Sequence, residues 1–219
     1  MLVLHYTGMA SAALALERLC DPAAQVSAHY LIDEDGAAYA LVAEGRRAWH
    51  AGLSYWAGER DINSRSIGIE LQNPGHGPDY HAFPPEQMRA LIELARGILA
   101  RHAIPPERVL GHSDVAPSRK QDPGELFDWQ GLAAAGIGRW PPALRKPQPV
   151  GLGPAGGEGE TRELQHQLAR FGYAIGANGR YDAATRAAVA AFQRHFRPVA
   201  VNGLADGETR GLLAALLDR

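Results

Sequence analysis

The sequence predicts a layered α/β domain followed by a small unit of three helices. Short strand patterns alternate with helical periodicity up to about residue 140, a stretch crowded with Pro and Gly lies between Trp140 and Glu160, and three amphipathic helical patterns follow it. Composition agrees: 46% hydrophobic and 21% charged residues suit a chain that buries a core, and 219 residues leave room for a second, smaller unit.

Taken in order, Met1 to Leu4 is a short apolar strand that ends in His5, and the Ala-rich stretch Ser11 to Leu19 favours helix. Tyr30 to Asp33 and Ala38 to Val42 are strand candidates on either side of the hairpin turn Asp35-Gly36. Ile67 to Leu71 is a further strand, with Glu70 near its carboxyl end. The clearest helix runs from Pro85 to His102, where Met88, Leu91, Ala95, Ile98 and Leu99 recur at three and four residues behind the Pro84-Pro85 start signal. Val109 and Leu110 then lead into Gly111-His112.

Residues 141–159 read as a linker that holds neither helix nor strand, dividing a first domain, residues 1–140, from a separable terminal unit, residues 160–219. That unit reads as helices over Glu160 to Phe171, Asp182 to Phe196 and Asp206 to Leu217. Asp182 and Asp206 stand as N-caps in a weak internal repeat, Asp-Ala-Ala-Thr185-Arg186 and Asp-Gly-Glu-Thr209-Arg210.

A formal net charge of -2 speaks against a nucleic-acid partner. The single Cys20 excludes an intramolecular disulfide, and no apolar run approaches the roughly 20 residues of a membrane span. The lack of a signal segment favours the cytoplasm. Met1 stands only four positions before His5, however, which keeps open an amino-terminal extension and an envelope location.

The segment Gly111 to Gly124 is polar, irregular and punctuated by Pro and Gly, and such a loop needs an anchor. A metal held by His112 and Asp122 would supply one, with His5 as the natural third ligand, since catalytic zinc takes three protein ligands and leaves one position open. Spacing alone does not select this set, because nine histidines allow other triplets.

Five motifs in one order extend the reading: Leu2-Val3-Leu4-His5-Tyr6-Thr7, Ser27-Ala28-His29-Tyr30, Trp49-His50-Ala51-Gly52, Ile67-Gly68-Ile69-Glu70, and Gly111-His112-Ser113-Asp114 through Lys120-Gln121-Asp122-Pro123-Gly124. Together they resemble the type 2 N-acetylmuramoyl-L-alanine amidases over residues 1 to about 140. The resemblance implies a mixed β-sheet flanked by helices, Zn2+ on His5, His112 and Asp122, catalytic Glu70, and Lys120 near the metal. It also implies peptidoglycan or anhydro-muropeptides as substrate. In that chemistry two neutral imidazoles and one carboxylate leave the metal site cationic, Glu70 takes a proton from water and passes it to the departing amine, and Lys120 either faces the oxyanion or manages protons.

Several residues keep two readings. Without the motif, Glu70 and Lys120 are solvent-facing charges. His29, His50 and Asn73 are candidates for substrate contact or for structural hydrogen bonding, and Trp49 and Trp56 for cleft or core. Arg119 either pairs with Asp114 or meets a peptide carboxylate, while Asp114 either orients a ligand ring or holds the loop. His76, His81 and His102 read as surface or packing residues. Leu164 through Phe171-Gly172-Tyr173, then Asn178-Gly179, Tyr181-Asp182 and Thr185 to Gln193, resemble the three-helix peptidoglycan-binding domain. The Asn178-Gly179 turn and the loop Arg197 to Leu204 depart from its commoner form. Two other classes compete: a non-catalytic peptidoglycan-recognition protein, which the complete ligand set and Glu70 argue against, and a metallohydrolase of ordinary peptides.

Overall fold

The computed structural model describes residues 1–143 and 156–218. Most of the linker read over 141–159 therefore lies outside the described residues. The elements run β1 (Leu2–Tyr6), α1 (Ala12–Cys20), β2 (Tyr30–Ile32), β3 (Ala38–Ala40), α2 (Ile62–Arg65), β4 (Ile67–Leu71), α3 (Pro85–Arg101), β5 (Val109–Gly111), α4 (His112–Val115), α5 (Trp129–Ala134), α6 (Glu158–Phe171), α7 (Ala183–Phe196) and α8 (Gly207–Leu217). The sheet order is β3-β2-β4-β1-β5. Four strands are parallel and β3 alone is antiparallel to its neighbour, so the sheet is mixed.

Strand alternation sorts the sheet into two faces. Leu2, Leu4, Ile67, Ile69, Leu71 and Val109 pack with Leu91, Ala95 and Ile98 of α3 in one cluster. Val3 and Leu110 belong to the cluster on the other side, the side to which His5, Gly68 and Glu70 also point by the same alternation. The α3 stripe is the three-and-four spacing seen in the sequence, and Pro85 does sit in its first turn. The Asp35-Gly36 turn forms as expected: Gly36 adopts φ 89°, and Ala37 N donates to Asp35 Oδ1 at 2.8 Å. The second hairpin strand is shorter than Ala38 to Val42, because β3 is an exposed edge with only β2 to pair with. The loop after β5 is not irregular throughout, since it opens with the helical turn α4.

Asp182 and Asp206 cap α7 and α8, each accepting a backbone N–H from Thr185 or Thr209 at 2.9 Å. The weak repeat proves to be a hydrogen-bonded module used twice. Gln165 Nε2 reaches Thr185 Oγ1 while its Oε1 accepts from Gly179 N, and Gln193 Nε2 reaches Thr209 Oγ1 while its Oε1 accepts from Gly203 N. Both threonines are thus committed to structure, and the Arg197 to Leu204 loop carries the same Asn-Gly turn as Asn178-Gly179.

The terminal helices are not a separate body. Met1, Val3, Trp56, Ile62, Leu110 and Val115 of the first domain share one hydrophobic cluster with Leu164, Leu168, Tyr173, Val189, Phe192 and Phe196. The Trp56 ring meets Tyr173 edge-on at 5.1 Å. A Cβ on Gly172 would lie 2.6 Å from Trp56 Cε2, so the close approach requires glycine there. A unit of this size is marginal alone, and it gains its core by packing on the sheet.

Candidate metal centre and active site

β1 and β4 run parallel in register, with His5 opposite Glu70. Neighbouring residues in register project to the same face, so the strand pairing alone sets imidazole beside carboxylate. β5 lies on the other side of β1, with Gly111 opposite Leu4, and the next residue, His112, opens α4 one position further along. Ser113 N donates to Asp122 O at 2.9 Å, which folds the loop back and brings Asp122 to both imidazoles.

The result is a triangle of ligand atoms. His5 Nδ1, His112 Nδ1 and Asp122 Oδ2 are each 3.0 Å from the other two. All three residues are buried, at 1%, 3% and 5% exposure. The spacing lets one ion touch all three at the roughly 2.0–2.2 Å of zinc–nitrogen and zinc–oxygen contacts.

Hydrogen-bond bookkeeping assigns the tautomers. His112 Nε2 lies 3.0 Å from Ala51 O, which can only accept, so Nε2 carries the hydrogen and Nδ1 a lone pair. Ser66 Oγ donates to Ile62 O at 2.6 Å and is therefore the acceptor for His50 Nε2 at 3.2 Å. That leaves the His50 Nδ1 lone pair to accept from His5 Nε2 at 2.9 Å, so His5 Nδ1 also presents a lone pair. Two lone pairs facing each other at 3.0 Å beside a carboxylate repel, and a cation between them resolves the conflict. The residues fit zinc.

The electrostatics agree. Burial and the neighbouring His112 lower the His5 pKa to about 4, which keeps the ring neutral. Burial opposes the charge on Asp122, but His112 and His5 outweigh it and hold that carboxyl well below the usual range. His50 is held well below the ordinary imidazole value by burial, with His5 and His29 adding to it. Gly68 makes room for the His50 ring, since a Cβ there would lie 2.4 Å from its Cγ.

Glu70 behaves differently. Its Oε2 is sealed from solvent and has no hydrogen-bond partner among the described residues. Burial raises its pKa well above the ordinary carboxyl value, Asp122 adds to the rise, and Lys120 opposes it. Glu70 and Lys120 line the same cleft as His5, His50, His112 and Asp122, a space of about 320 Å³ with Trp49 on its wall. A larger depression of about 770 Å³, lined by Met1, Arg46, Arg47 and Arg108 among others, contains none of the ligand triangle.

Other candidates fall elsewhere. His29 does not line the cleft: its Nδ1 accepts from Gly68 N and its Nε2 bonds Arg46 O, both at 3.0 Å, so it is a structural imidazole. Asn73 is fully buried and spends its amide on His81 O and Gly75 N, which shapes a loop. Trp56 is core. Arg119 neither pairs with Asp114 nor lines this cleft; its Nη2 donates to Ala51 O and Leu53 O at 2.8 Å. Asp114 touches no ligand ring. It accepts from Gly111 N at 2.8 Å, Tyr173 OH at 3.0 Å and His195 Nδ1 at 2.7 Å, and so ties α4 to the terminal helices. His76, His81 and His102 pair with Glu125, Glu34 and Glu44 at the surface. Ser66 and His195 gave no signal in the sequence, and Tyr173 appeared there only as part of the terminal motif, for each acts through a partner distant along the chain.

A ligand triangle at the carboxyl ends of parallel strands, beside a carboxylate that lacks donors, defines a metal-dependent hydrolase. Residues 1–125 match the family profile described as N-acetylmuramoyl-L-alanine amidase, and residues 157–213 that of a putative peptidoglycan binding domain. The chain is 43% identical to N-acetylmuramoyl-L-alanine amidase AmiD of Escherichia coli K12 over 235 residues, 100% of this chain and 82% of the relative. Against 1,6-anhydro-N-acetylmuramyl-L-alanine amidase AmpD of Salmonella typhimurium it is 41% identical over 105 residues, 48% of this chain and 54% of that protein. The solved complex of E. coli AmiD with anhydro-N-acetylmuramic acid-L-Ala-D-gamma-Glu-L-Lys superposes with a TM-score of 0.88 at 40% identity, covering 100% of this chain and 88% of that one. AmpDH3 of Pseudomonas aeruginosa superposes at 0.85 and 34%, covering 100% and 91%. The chain belongs to the type 2 N-acetylmuramoyl-L-alanine amidases and carries a C-terminal peptidoglycan-binding domain.

Proposed function

We propose that this chain hydrolyses the amide between the lactyl group of N-acetylmuramic acid and L-alanine, in peptidoglycan or anhydro-muropeptides, with Glu70 as the acid–base group. The observation that carries the assignment is the register pairing of His5 with Glu70, which sets a sealed, donor-free carboxyl oxygen beside the ligand triangle. His5 Nδ1, His112 Nδ1 and Asp122 Oδ2 would hold zinc. When bound, zinc supplies Lewis acidity that polarises the amide carbonyl and acidifies water.

The remaining work falls to the chain. Ser66 and His50 keep the hydrogen of His5 on Nε2, and Ala51 O keeps that of His112 on its Nε2, so both Nδ1 atoms stay free. Glu70 Oε2 accepts the proton of the attacking water and returns it to the nitrogen of L-alanine as the amide breaks. Its raised pKa improves it both as a base and as the holder of that proton near neutral pH. Lys120 lines the same cleft and sets its cation against the oxyanion.

The test is Glu70→Gln on the zinc-loaded full chain with anhydro-muramoyl-L-Ala-D-γ-Glu-L-Lys, the ligand named for AmiD. Turnover should fall at least about a hundredfold with zinc retained, and mass spectrometry of the wild-type reaction should show free peptide beginning in L-alanine. Wild-type binding without release would instead leave a recognition protein, and cleavage further along the stem would make it a peptidase.

A further inference from the structure

A second groove of about 420 Å³ opens where the loop between α4 and Asp122 meets α7. Its walls carry Arg119 and Lys120 from the loop and Arg186 and Arg194 from the helix, and among the described residues no acidic one lines it. In a chain whose formal net charge is -2, four cations on one concave surface are a local excess. Low-dielectric walls focus such a field on an entering anion.

These charges are not neutralised inside the protein, although Arg119 Nη2 is already engaged by the neutral carbonyls of Ala51 and Leu53. Among the described residues Arg119, Lys120 and Arg186 have no carboxylate within ion-pair distance, and the contact of Arg194 to Glu125 Oε2 is long, at 3.9 Å. Arg194 Nε is buried and, among the described residues, has no hydrogen-bond partner. Between the two helix arginines, Ala187 and Ala190 line the same wall and leave space above it. Arg186 and Arg194 are two turns apart, a rise of about 12 Å, which an extended tripeptide of about 10 Å nearly spans. Lys120 lines both this groove and the catalytic cleft, so the two surfaces adjoin.

We propose that the groove between the amidase loop and α7 is a subsite for the carboxylates of the peptide stem, engaged while the lactyl amide lies over the ligand triangle. The proposal rests on the amidase reading above. A stem of the form L-Ala-D-γ-Glu-L-Lys suits it chemically: the γ-linkage leaves the glutamate α-carboxylate free, and the terminal residue adds a second. Guanidinium groups recognise such planar anions through paired N–H donors. The lysine ammonium of that stem stays in solvent, away from the cations. Because one wall is α7, the subsite exists only while the terminal helices are docked on the amidase domain.

The experiment compares kcat/KM of the zinc-loaded full chain for anhydro-muramoyl-L-Ala-D-γ-Glu-L-Lys and for its analogue with both carboxylates converted to amides. The wild type should prefer the carboxylate form about tenfold, equivalent to about 1.4 kcal/mol. Arg186→Gln should reduce that ratio several-fold, the double variant with Arg194→Gln should bring it close to unity, and Arg186→Lys, which keeps the charge but not the paired donors, should reduce it less than Arg186→Gln. Because the ratio is internal to each protein, a partly misfolded variant does not distort it. A wild type without preference, or a double variant that keeps the preference, overturns the subsite while leaving the amidase intact. Should the wild type cleave neither substrate, the amidase reading falls. Calorimetry with the free tripeptide then decides the groove: binding lost in the double variant upholds it, and equal binding by both proteins overturns it.

Discussion

Glu70 and Asp114 are two carboxylates of the same domain, one just before the end of β4 with a single sealed oxygen and one wholly buried within α4, and their surroundings treat them in opposite ways. Asp114 receives three donors, from Gly111, Tyr173 and His195, so its acceptor capacity is spent on holding α4 against the terminal helices. Glu70 Oε2 receives none. A buried acceptor without a donor costs about 1–3 kcal/mol, and the chain carries that cost beside the ligand triangle, where the proposed mechanism calls for a proton acceptor. On that proposal, saturation makes one carboxylate structural, and its absence leaves the other able to take a proton. The difference also explains why the second domain matters to the first: two of the three donors to Asp114 come from beyond the linker, and Asp114 lies two residues past the ligand His112.

The strongest way to break this comparison is to delete residues 157–219. The shared core would lose its far wall, exposing Met1, Val3, Trp56, Leu110 and Val115, and Asp114 would lose Tyr173 and His195 together. The expected outcome is loss of cooperative thermal unfolding and of stoichiometric zinc. A truncated protein that melted sharply and kept its metal would show that the terminal helices are only an attachment. A smaller effect is expected from Tyr173→Phe and His195→Leu, each leaving Asp114 one donor short inside the protein. We expect about 1–3 kcal/mol of stability lost per variant, read as a lower denaturant midpoint. Faster zinc loss to a chelator should accompany it, since α4 carries His112. His195→Asn, which keeps a donor near the Nδ1 position, should recover most of both.

The smallest effect sharpens the comparison from the other side. In the metal-free chain Glu70→Gln should raise the thermal midpoint at pH 8, by on the order of 2 °C, because a carboxylate with a sealed, unsatisfied oxygen becomes a neutral amide. The folded-state pKa of Glu70 lies above its unfolded value. The wild type is therefore penalised least below the unfolded carboxyl range of about 4.3, and loses stability as pH rises through the folded value. The advantage of the variant should accordingly shrink as pH is lowered toward 5. An advantage that did not change with pH would mean that Glu70 is not held in a raised state.

Much of the site was legible in the sequence because strand ends and a polar loop after a strand are local signals. His5, Glu70, His112 and Asp122 each stand at such a point, and the motif order supplied their partnership. Trp49 was open between cleft and core and proved to line the cleft. His29 and Asn73 proved structural, because a histidine or asparagine beside an active-site strand looks the same whether its hydrogen bonds go to a substrate or to backbone.

The sequence by itself determined the strands, the long helix, the N-caps of the terminal helices and the residues able to bind metal, all of which depend on periodicity and on side-chain chemistry within a few positions. Only the tertiary structure decided that Ser66 and His50 set the tautomer of His5, that the terminal helices complete the core of the sheet rather than hang from it, and that Asp114 is a clamp. The physical reason is separation along the chain. Tyr173 and His195 reach Asp114 across 59 and 81 residues, and whether a buried carboxylate is satisfied or left free depends on donors whose arrival only the packed fold can specify.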